Sequence, residues 1–443
     1  MACVGGAGPG LDESPTPRGQ ALPLAGALVA SEPRETVAGG TAGPVARQGV
    51  RHRVLILCGD ADGNLGDRAI VQAICQTLRE AEPEGAVALT VLCSNADRAR
   101  RAYGAAALPT GWRGWLALWR SARASSLVIC GGGGLFQDDD SLVKMPYWAA
   151  RVAVARLACP RVAGVSLGVG PLKAWVSRWF GRAALRRLEP VSVRDPLAQQ
   201  LACELIGDRV ELVPDPAMLL KPASDEQASA MLAAHGVPLD GRPLIGVAPR
   251  RWFPPKARIL PHRLMWRWRG AGVQEQAANR DLAALLAQTL DRLAESCGGH
   301  VVFLPSYNSA HEADDQLCRA IAEQMRSTAH TLIQLDEPAL YKAITAKLAV
   351  MLGGRMHPTI FAAGSGTPVV GLAYNPKFHG LFDLLGVEDH VIDVVDFVAH
   401  QRVDALVHTL ATAMQGEPGL GMRANELGRQ TQAFLQKLLR TSG

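Results

Sequence analysis

The segment at 353–366, which reads GGRMHPTIFAAGSG, places an arginine and a histidine two residues apart, directly after an apolar run. A guanidinium group binds carboxylate or phosphate through two parallel hydrogen bonds. An imidazole exchanges protons near neutral pH. Pro358 suits the first turn of a helix, so His357 is predicted to lie at a helix N-terminus close to Arg355. The segment therefore predicts an anion clamp beside a proton carrier.

Arginines also recur at the ends of other predicted strands. Arg194 ends the strand in VSVRD, and Arg250 with Arg251 follows the strand in GVAPRRW. Each of them alone would be an ordinary surface arginine. In open parallel sheets, however, ligands bind beyond the carboxyl ends of the strands. We therefore predict that Arg194, Arg250 and Arg355 share one anionic ligand that carries carboxylate or phosphate groups.

Two glycine-containing loops follow predicted strands in the first half of the chain, GDADGNLGDRAI and GGGGLFQDDDS. The spacing of the first loop matches neither the dinucleotide-binding GxGxxG pattern nor a P-loop. The three aspartates of the second loop are equally compatible with a solvated turn. Glycines let backbone approach a ligand closely, whereas the aspartates favour hydroxyl recognition or a loop cap over an anion site. A plain glycine turn, with Asp67 as the helix cap, remains an equal alternative. The candidate binding residues of these loops are Asn64, Asp67, Gly132, Gly133, Gln137 and Asp138.

The composition limits the classes of function. A net charge of +5 fits an anionic substrate or an anionic membrane surface, and no nucleic-acid motif accompanies it. The nine cysteines include no CxxC pair, which argues for a reducing compartment and against a zinc site. No apolar run is long enough for a transmembrane helix, and no signal peptide is expected. A cytoplasmic protein without a metal is therefore predicted, one that does not bind nucleic acid.

Short apolar runs alternate with helical spacing along most of the 443 residues. Apolar strands that alternate with helices predict parallel sheets covered on both faces. We therefore predict an α/β fold of two doubly wound, Rossmann-like domains in tandem that face a cleft. The predicted boundaries are a disordered tail at 1–50, an N-terminal domain at 51–220, a linker at 221–242, and a C-terminal domain with closing helices at 243–443.

Eight of the nine tryptophans lie in three basic segments, GWRGWLALWR, KAWVSRWFGRAALRR and RWFPPKARILPHRLMWRWRG. Tryptophan with lysine and arginine is typical of a membrane interface. Packing within helices is nevertheless the favoured interpretation of Trp115, Trp119 and Trp175. The insert at 252–279 has neither helical nor strand periodicity, so it is the better candidate for a membrane contact.

Five segments, taken in order, resemble the polysaccharide pyruvyltransferase family, and its bacterial cell-envelope branch most of all. They are GNLGDRAI, ICGGGGLFQD, SVRDP, VPDPA and GGRMHPTIFAAGSGTPVVGLAYNPK. The resemblance runs from about residue 53 to about residue 390, with the tail and the insert excluded. Each segment alone is a weak signal, whereas the ordered set is specific.

The resemblance implies a GT-B-like fold and the transfer of pyruvate from phosphoenolpyruvate (PEP) to a sugar. The acceptor would be a cell-envelope or extracellular polysaccharide, or its lipid-linked precursor, and the product a ketal across two hydroxyls. His357 would be the catalytic acid and base, and Arg355, Arg250 and Arg194 would bind PEP. The text PRRW departs from the expected LRPW-like pattern, which leaves Arg250 and Arg251 interchangeable.

The same resemblance implies that the first-domain loops face the acceptor sugar and that PEP is a co-substrate, with no further cofactor. Peripheral association with the inner face of a membrane would suit a lipid-linked acceptor. Two other classes of function share the predicted fold. One is a GT-B glycosyltransferase or epimerase that uses a nucleotide sugar, and the other is a non-catalytic envelope-assembly subunit. Release of phosphate from PEP, as against nucleotide from a UDP-sugar, would separate the two enzymes.

Overall fold

The structure is a computed structural model that describes residues 49–111, 114–139, 141–251, 273–307, 312–416 and 418–440. Most of the predicted tail and the first part of the predicted insert lie outside these residues. The last part of the insert, from Val273 onward, belongs to a long helix, so the prediction that the whole insert lacks periodic structure is wrong. Among the described helices, none has the length and apolar character needed to cross a bilayer.

The first sheet has seven parallel strands in the order β3-β2-β1-β4-β5-β6-β7. Its central strands are apolar and buried, as expected for a parallel sheet with helices on both faces. The strands are β1 (His52–Leu57), β2 (Val87–Leu92), β3 (Ala106–Leu108), β4 (Leu127–Gly131), β5 (Val162–Leu167), β6 (Val191–Val193) and β7 (Val210–Leu212).

The helices that accompany this sheet follow its strands in alternation. They are α1 (Leu65–Glu80), α2 (Ala96–Tyr103), α3 (Gly114–Arg123), α4 (Lys144–Ala158), α5 (Trp175–Leu185) and α6 (Pro196–Ile206). A 3₁₀ turn (Pro216–Leu219) and α7 (Asp225–Ala234) lead out of the domain. The predicted linker therefore contains one helix, which begins with a capping box between Ser224 and Gln227.

The second sheet has six parallel strands in the order β10-β9-β8-β11-β12-β13. The strands are β8 (Leu244–Ala248), β9 (His300–Phe303), β10 (His330–Leu332), β11 (Val350–Gly353), β12 (Val369–Ala373) and β13 (Val391–Asp393). The helices are α8 (Val273–Cys297), α9 (Asp314–Ala322), α10 (Pro338–Thr345), α11 (Met356–Gly364), α12 (Lys377–Leu385), α13 (Val394–Ala399), α14 (Val403–Met414) and α15 (Leu420–Arg440), with a 3₁₀ turn at Glu388–His390. The predicted class of two parallel-sheet α/β domains is confirmed.

The two domains share buried contacts away from the strand ends. The last helix, α15, packs against α1, the 3₁₀ turn at Pro216–Leu219 and α11. Its Thr431 hydroxyl donates a hydrogen bond of 3.0 Å to the Pro214 carbonyl. The buried Lys342 ammonium of α10 donates to the carbonyls of Met218 and Leu220, at 2.7 and 2.8 Å. The chain therefore returns to the first domain through both helix packing and polar contacts.

Burial lowers the pKa of Lys342 from 10.5 to about 8. The unfolded chain then binds more protons than the folded chain between these two values, so this lysine makes stability rise with pH across that window. We expect the free energy of unfolding of the wild type, relative to that of Lys342→Met, to increase by about 3 kcal/mol between pH 8 and pH 10.5. Denaturant unfolding at several pH values measures the difference.

The matched control is Lys347→Met, which removes a nearby lysine whose ion-pair partner, Asp225, is mostly exposed. A stability difference between the wild type and Lys342→Met that stays constant from pH 8 to pH 10.5 would contradict the assignment.

Candidate functional site

The carboxyl ends of both sheets open on one cleft. On one wall, the start of α1 follows β1 and the four-glycine loop follows the neighbouring strand β4. On the other wall, Arg250 follows β8 and Arg355 follows the neighbouring strand β11. A cavity of about 200 Å³ lies between the walls. Its lining includes Asn64, Gly66, Asp67, Gly134, Gln137, Asp139, Lys144, Arg194, Arg250, Ser306, Tyr307, Glu312, Arg355, Met356, His357, Pro358, Tyr374, Asn375 and Lys377.

Arg355 is held by two carboxylates of its own domain. Its Nη2 donates to Asp314 Oδ1 at 2.6 Å and to Glu312 Oε2 at 2.7 Å, and its Nε donates to Asp314 Oδ2 at 3.0 Å. Burial would lower the pKa of Arg355, but Asp314 and Glu312 outweigh it and raise the pKa above its ordinary value. The guanidinium is therefore a fixed charge in a fixed orientation at the wall of the cleft.

Arg250 lies beside Arg355 and shares one of its carboxylates. Its Nε is 3.6 Å from Glu312 Oε2, and its guanidinium carbon stacks 3.7 Å from the centre of the Tyr374 ring. A guanidinium stacked on an aromatic face keeps its edges available for hydrogen bonds. Arg251 is not among the residues that line the cavity. Of the two adjacent arginines, Arg250 is thus the one at the site.

Arg194 reaches the cleft from the first domain, at the end of β6. Its Nη1 donates to Asp215 Oδ2 at 2.9 Å, and its Nε lies 3.8 Å from Asp195 Oδ2. Burial opposes the charge, but Asp215 and Asp195 outweigh it and raise the pKa of Arg194. The three predicted arginines therefore meet at one cleft, from two domains.

His357 occupies the second position of α11, directly after Met356, as the sequence predicts. Its Nε2 lies 3.9 Å from Asp215 Oδ2. Burial lowers the pKa of His357 and outweighs the carboxylates of Asp215 and Asp67, which raise it. Burial therefore favours the neutral form of the imidazole, which lies beside the acid that also binds Arg194.

The imidazole packs against the first turn of α1. A Cβ built on Gly66 would lie 1.9 Å from His357 Nδ1, so only glycine leaves room for the ring at this position. Asn64 caps α1, because its side chain accepts a hydrogen bond of 2.9 Å from the Gly66 N–H. Asp67 lies inside the helix, so the prediction that Asp67 is the helix cap is wrong.

The half-buried Asp67 carboxylate accepts a hydrogen bond of 2.9 Å from the Asp60 N–H, and desolvation raises its pKa. Gly133 leaves room for this carboxylate, since a Cβ at Gly133 would lie 2.5 Å from Asp67 Oδ1. Gly132 has a φ of +77° and packs on α1, where a Cβ would meet Ile70 at 2.1 Å. Neither Gly132 nor Gly133 lines the cavity, and both let the loop pack against α1.

Gln137 lines the cavity and accepts a hydrogen bond from the Lys377 ammonium across the cleft. Asp138 is buried, and its carboxylate accepts hydrogen bonds from the N–H groups of Lys173 and Ala174, at 3.0 and 2.8 Å. It therefore fastens the start of α5 instead of lining the cavity. The next residue, Asp139, does line it.

Lys377 was missed in the sequence, although it follows β12 in the segment AYNPK and so obeys the same strand-end pattern as the arginines. Burial lowers its pKa from 10.5 to about 8. The acidic partners Asp215, Glu312 and Asp314 were missed as well. Among the described residues, no group of three His, Cys, Asp or Glu side chains is arranged to hold a metal ion.

Three solved structures of similar fold are a pair of nucleotide-sugar epimerases and a glycosyltransferase. The UDP-GlcNAc 2-epimerase from Methanocaldococcus jannaschii has a TM-score of 0.58 at 10% identity, over 88% of this chain and 100% of its own. The UDP-GlcNAc 2-epimerase from Neisseria meningitidis bound to UDP-GlcNAc has a TM-score of 0.54 at 12% identity, with the same coverage of both chains. A glycosyltransferase from Rickettsia africae has a TM-score of 0.51 at 8% identity, over 88% of this chain and 94% of its own. These likenesses establish a GT-B-like fold.

Sequence comparison identifies a family. No curated protein matches the chain significantly in sequence. The profile of the family described as polysaccharide pyruvyl transferase matches residues 64–376, a span that begins at the cap of α1 and ends beside Lys377. That span contains Arg194, Arg250, Arg355 and His357. The chain therefore belongs to the polysaccharide pyruvyl transferase family.

Proposed function

We propose that the protein transfers the pyruvyl group of PEP to two hydroxyls of a sugar in an envelope or extracellular polysaccharide, or in its lipid-linked precursor. The product is a pyruvate ketal, and inorganic phosphate is released. The observation that carries the proposal is the convergence of Arg194, Arg250, Arg355 and His357 on one cavity. Family membership supports the transferase class.

PEP carries a carboxylate and a phosphate on adjacent positions of a three-carbon unit. Such a ligand calls for several fixed guanidinium groups, because each anionic group can take a bidentate hydrogen-bonded pair. Arg250 and Arg355 come from neighbouring strands of the second domain, and Arg194 faces them from the first. Their carboxylate partners hold the guanidinium groups in place before the ligand binds, which reduces the entropy lost on binding. We therefore assign PEP to these arginines.

The reaction balances with one proton carrier. Two C–O bonds form between the central carbon of PEP and the sugar hydroxyls, and the C–O bond to phosphate breaks. The first sugar hydroxyl loses a proton, and the methylene carbon of PEP gains one. The proton of the second hydroxyl leaves with the phosphate. His357 starts neutral, so it can accept the hydroxyl proton and deliver it to the methylene carbon.

The acceptor sugar is assigned to the first-domain wall. Asn64, Gln137 and Asp139 line that side of the cavity and carry the amide and carboxylate oxygens that hydroxyl groups prefer. Asp67 lies at the same wall, next to His357. Gly132, Gly133 and Asp138 support this wall from behind. The split between donor and acceptor walls rests on chemistry and on analogy with GT-B-like enzymes.

A reducing, cytoplasmic location suits this chemistry, because PEP is a cytoplasmic metabolite. All the cysteines of the described residues are unpaired thiols. Burial raises the pKa values of Cys75 and Cys130 to about 12, so these thiols are unreactive parts of the core.

The decisive experiment incubates the purified protein with PEP and a panel of lipid-linked and nitrophenyl sugars. We expect phosphate release that depends on the sugar, and a pyruvate ketal on one acceptor by mass spectrometry. The same protein is given UDP-GlcNAc as the contrasting donor. Release of UDP or epimerisation of the sugar, without any turnover of PEP, would replace the proposal with the nucleotide-sugar alternative.

Replacement of the proton carrier should abolish most turnover. We expect His357→Gln to lower kcat by about 10²–10⁴-fold with little change in the dissociation constant for PEP, because general acid–base catalysis contributes this much. The control is His379→Gln, which changes an exposed histidine on α12. Steady-state kinetics and PEP titration measure both quantities. Near-wild-type kcat in His357→Gln would remove this residue from the mechanism.

The pH profile of kcat/KM should report the same groups. The rate should rise with pH through an apparent pKa below 6.5, because the neutral imidazole accepts the proton and burial lowers the pKa of His357. It should fall as pH rises past about 8, because Lys377 then loses the charge that faces the anionic donor. Lys377→Arg should move only the alkaline limb to higher pH.

Substitutions of the two adjacent arginines, Arg250 and Arg251, should differ in their effect on KM for PEP. We expect Arg250→Gln to raise KM for PEP by about tenfold or more, since a charge-assisted hydrogen bond contributes roughly 1.5–3 kcal/mol. Arg251→Gln, one position further along the chain, is the control and should leave KM for PEP nearly unchanged. An equal effect of both substitutions would mean that the arginines act through general positive charge.

A further inference from the structure

Three neighbouring helices of the first domain expose large apolar side chains. Trp175 is 80% exposed and Trp179 is 60% exposed, both on α5. The interpretation that Trp175 packs within its helix is therefore wrong, and it is also wrong for Trp119, which is 36% exposed. Trp115 does pack, with its ring edge-on to Tyr147 at 6.2 Å. Leu157, near the end of α4, is exposed as well but lies apart from the others. The remaining exposed apolar residues of these helices and their starts, which we call the apolar rim, are Leu116, Trp119, Val143, Tyr147, Trp175 and Trp179.

The rim residues form one surface. Helix α4 packs between α3 and α5, so the three helices lie side by side on one face of the first sheet. Trp119 lies near the middle of α3, and the other rim residues lie in the first half of their helix or directly before it. Since these helices run back from the carboxyl ends of the strands, the rim lies at the sheet edge that opens on the cleft.

The charged residues of these three helices have one sign. Helices α3, α4 and α5 contain seven lysine and arginine residues and no aspartate or glutamate. The exposed cations near the rim are Arg120, Arg123, Lys173, Arg182 and Arg186. Tryptophan prefers the boundary between lipid headgroups and acyl chains, while arginine and lysine bind lipid phosphates. A surface that combines them is complementary to an anionic bilayer.

Two contacts connect the rim to the cleft. Asp138 binds the N–H groups directly before Trp175, and its neighbours Gln137 and Asp139 line the cavity. Helix α4 begins at Lys144, whose side chain also lines the cavity, directly after the exposed Val143. The rim is therefore the border of the cleft on the first-domain side.

We propose that the apolar rim and its surrounding cations dock the protein on an anionic phospholipid surface, with the cleft opening toward the headgroups. The tryptophans of α5 insert at the headgroup boundary, and the arginines contact lipid phosphates. This contact goes beyond the proposed reaction, because it requires neither PEP nor a sugar. It would present a membrane-held acceptor directly to the first-domain wall.

Vesicle flotation of the full-length protein tests the proposal. We expect binding to vesicles of phosphatidylcholine with phosphatidylglycerol, and at least about tenfold weaker binding to phosphatidylcholine alone or at high salt. Trp175→Ala with Trp179→Ala should weaken binding to the anionic vesicles by about tenfold or more. Arg182→Glu with Arg186→Glu should remove the preference for anionic lipid.

The control substitution is Leu157→Ala, which changes a 78% exposed residue at the far end of α4 and should leave vesicle binding intact. Turnover of PEP with a water-soluble acceptor should be unchanged in the tryptophan variant, which separates failure of docking from failure of the proposed reaction.

Equal binding of wild type and tryptophan variant to anionic vesicles would overturn the proposal, as would no binding by the wild type. Two other results would also overturn it. One is a concentration-dependent dimer, seen by sedimentation velocity, that dissociates when the two tryptophans are substituted. The other is stronger binding to a labelled single-stranded oligonucleotide than to vesicles, weakened by the same substitutions.

Discussion

The carboxylate of Asp215 connects the parts of the site. It accepts a hydrogen bond from Arg194, accepts another from the Ala217 N–H, and lies 3.9 Å from the imidazole of His357. The turn that it caps supplies the carbonyls that bind Lys342. A buried carboxylate is stable only where such partners surround it. One acid thus links a first-domain arginine, a second-domain histidine and the contact between the domains.

The same requirement for partners explains the second domain's half of the site. Only 12% of the Arg355 side chain is exposed, so it needs Asp314 and Glu312, and Glu312 also lies near Arg250. These ion pairs leave the guanidinium groups charged and immobile before a ligand arrives. They add little net stability, since desolvation offsets much of the attraction. Their contribution is orientation, which suits the proposed binding of PEP.

The sequence was sufficient to predict the fold class and the convergence of the arginines with His357, because parallel sheets bring strand ends to one edge. It was insufficient to predict the acidic residues that pair with these arginines. Asp215 and Asp314 lie far from their arginines along the chain, and only tertiary packing brings them together. Asp138 and Gly132 sit in a loop with the composition of a binding site, yet their hydrogen bonds and packing serve α5 and α1. Composition cannot separate a loop that binds from a loop that supports one.

The contact between Gly66 and His357 has an evolutionary consequence. The histidine belongs to one domain, and the glycine that makes room for its ring belongs to the other, nearly 300 positions earlier in the chain. Because any larger side chain at Gly66 would displace the imidazole, the two positions cannot drift independently. A chimera that joins the first domain of one homologue to the second domain of another would keep the imidazole of His357 in place only where this glycine is retained.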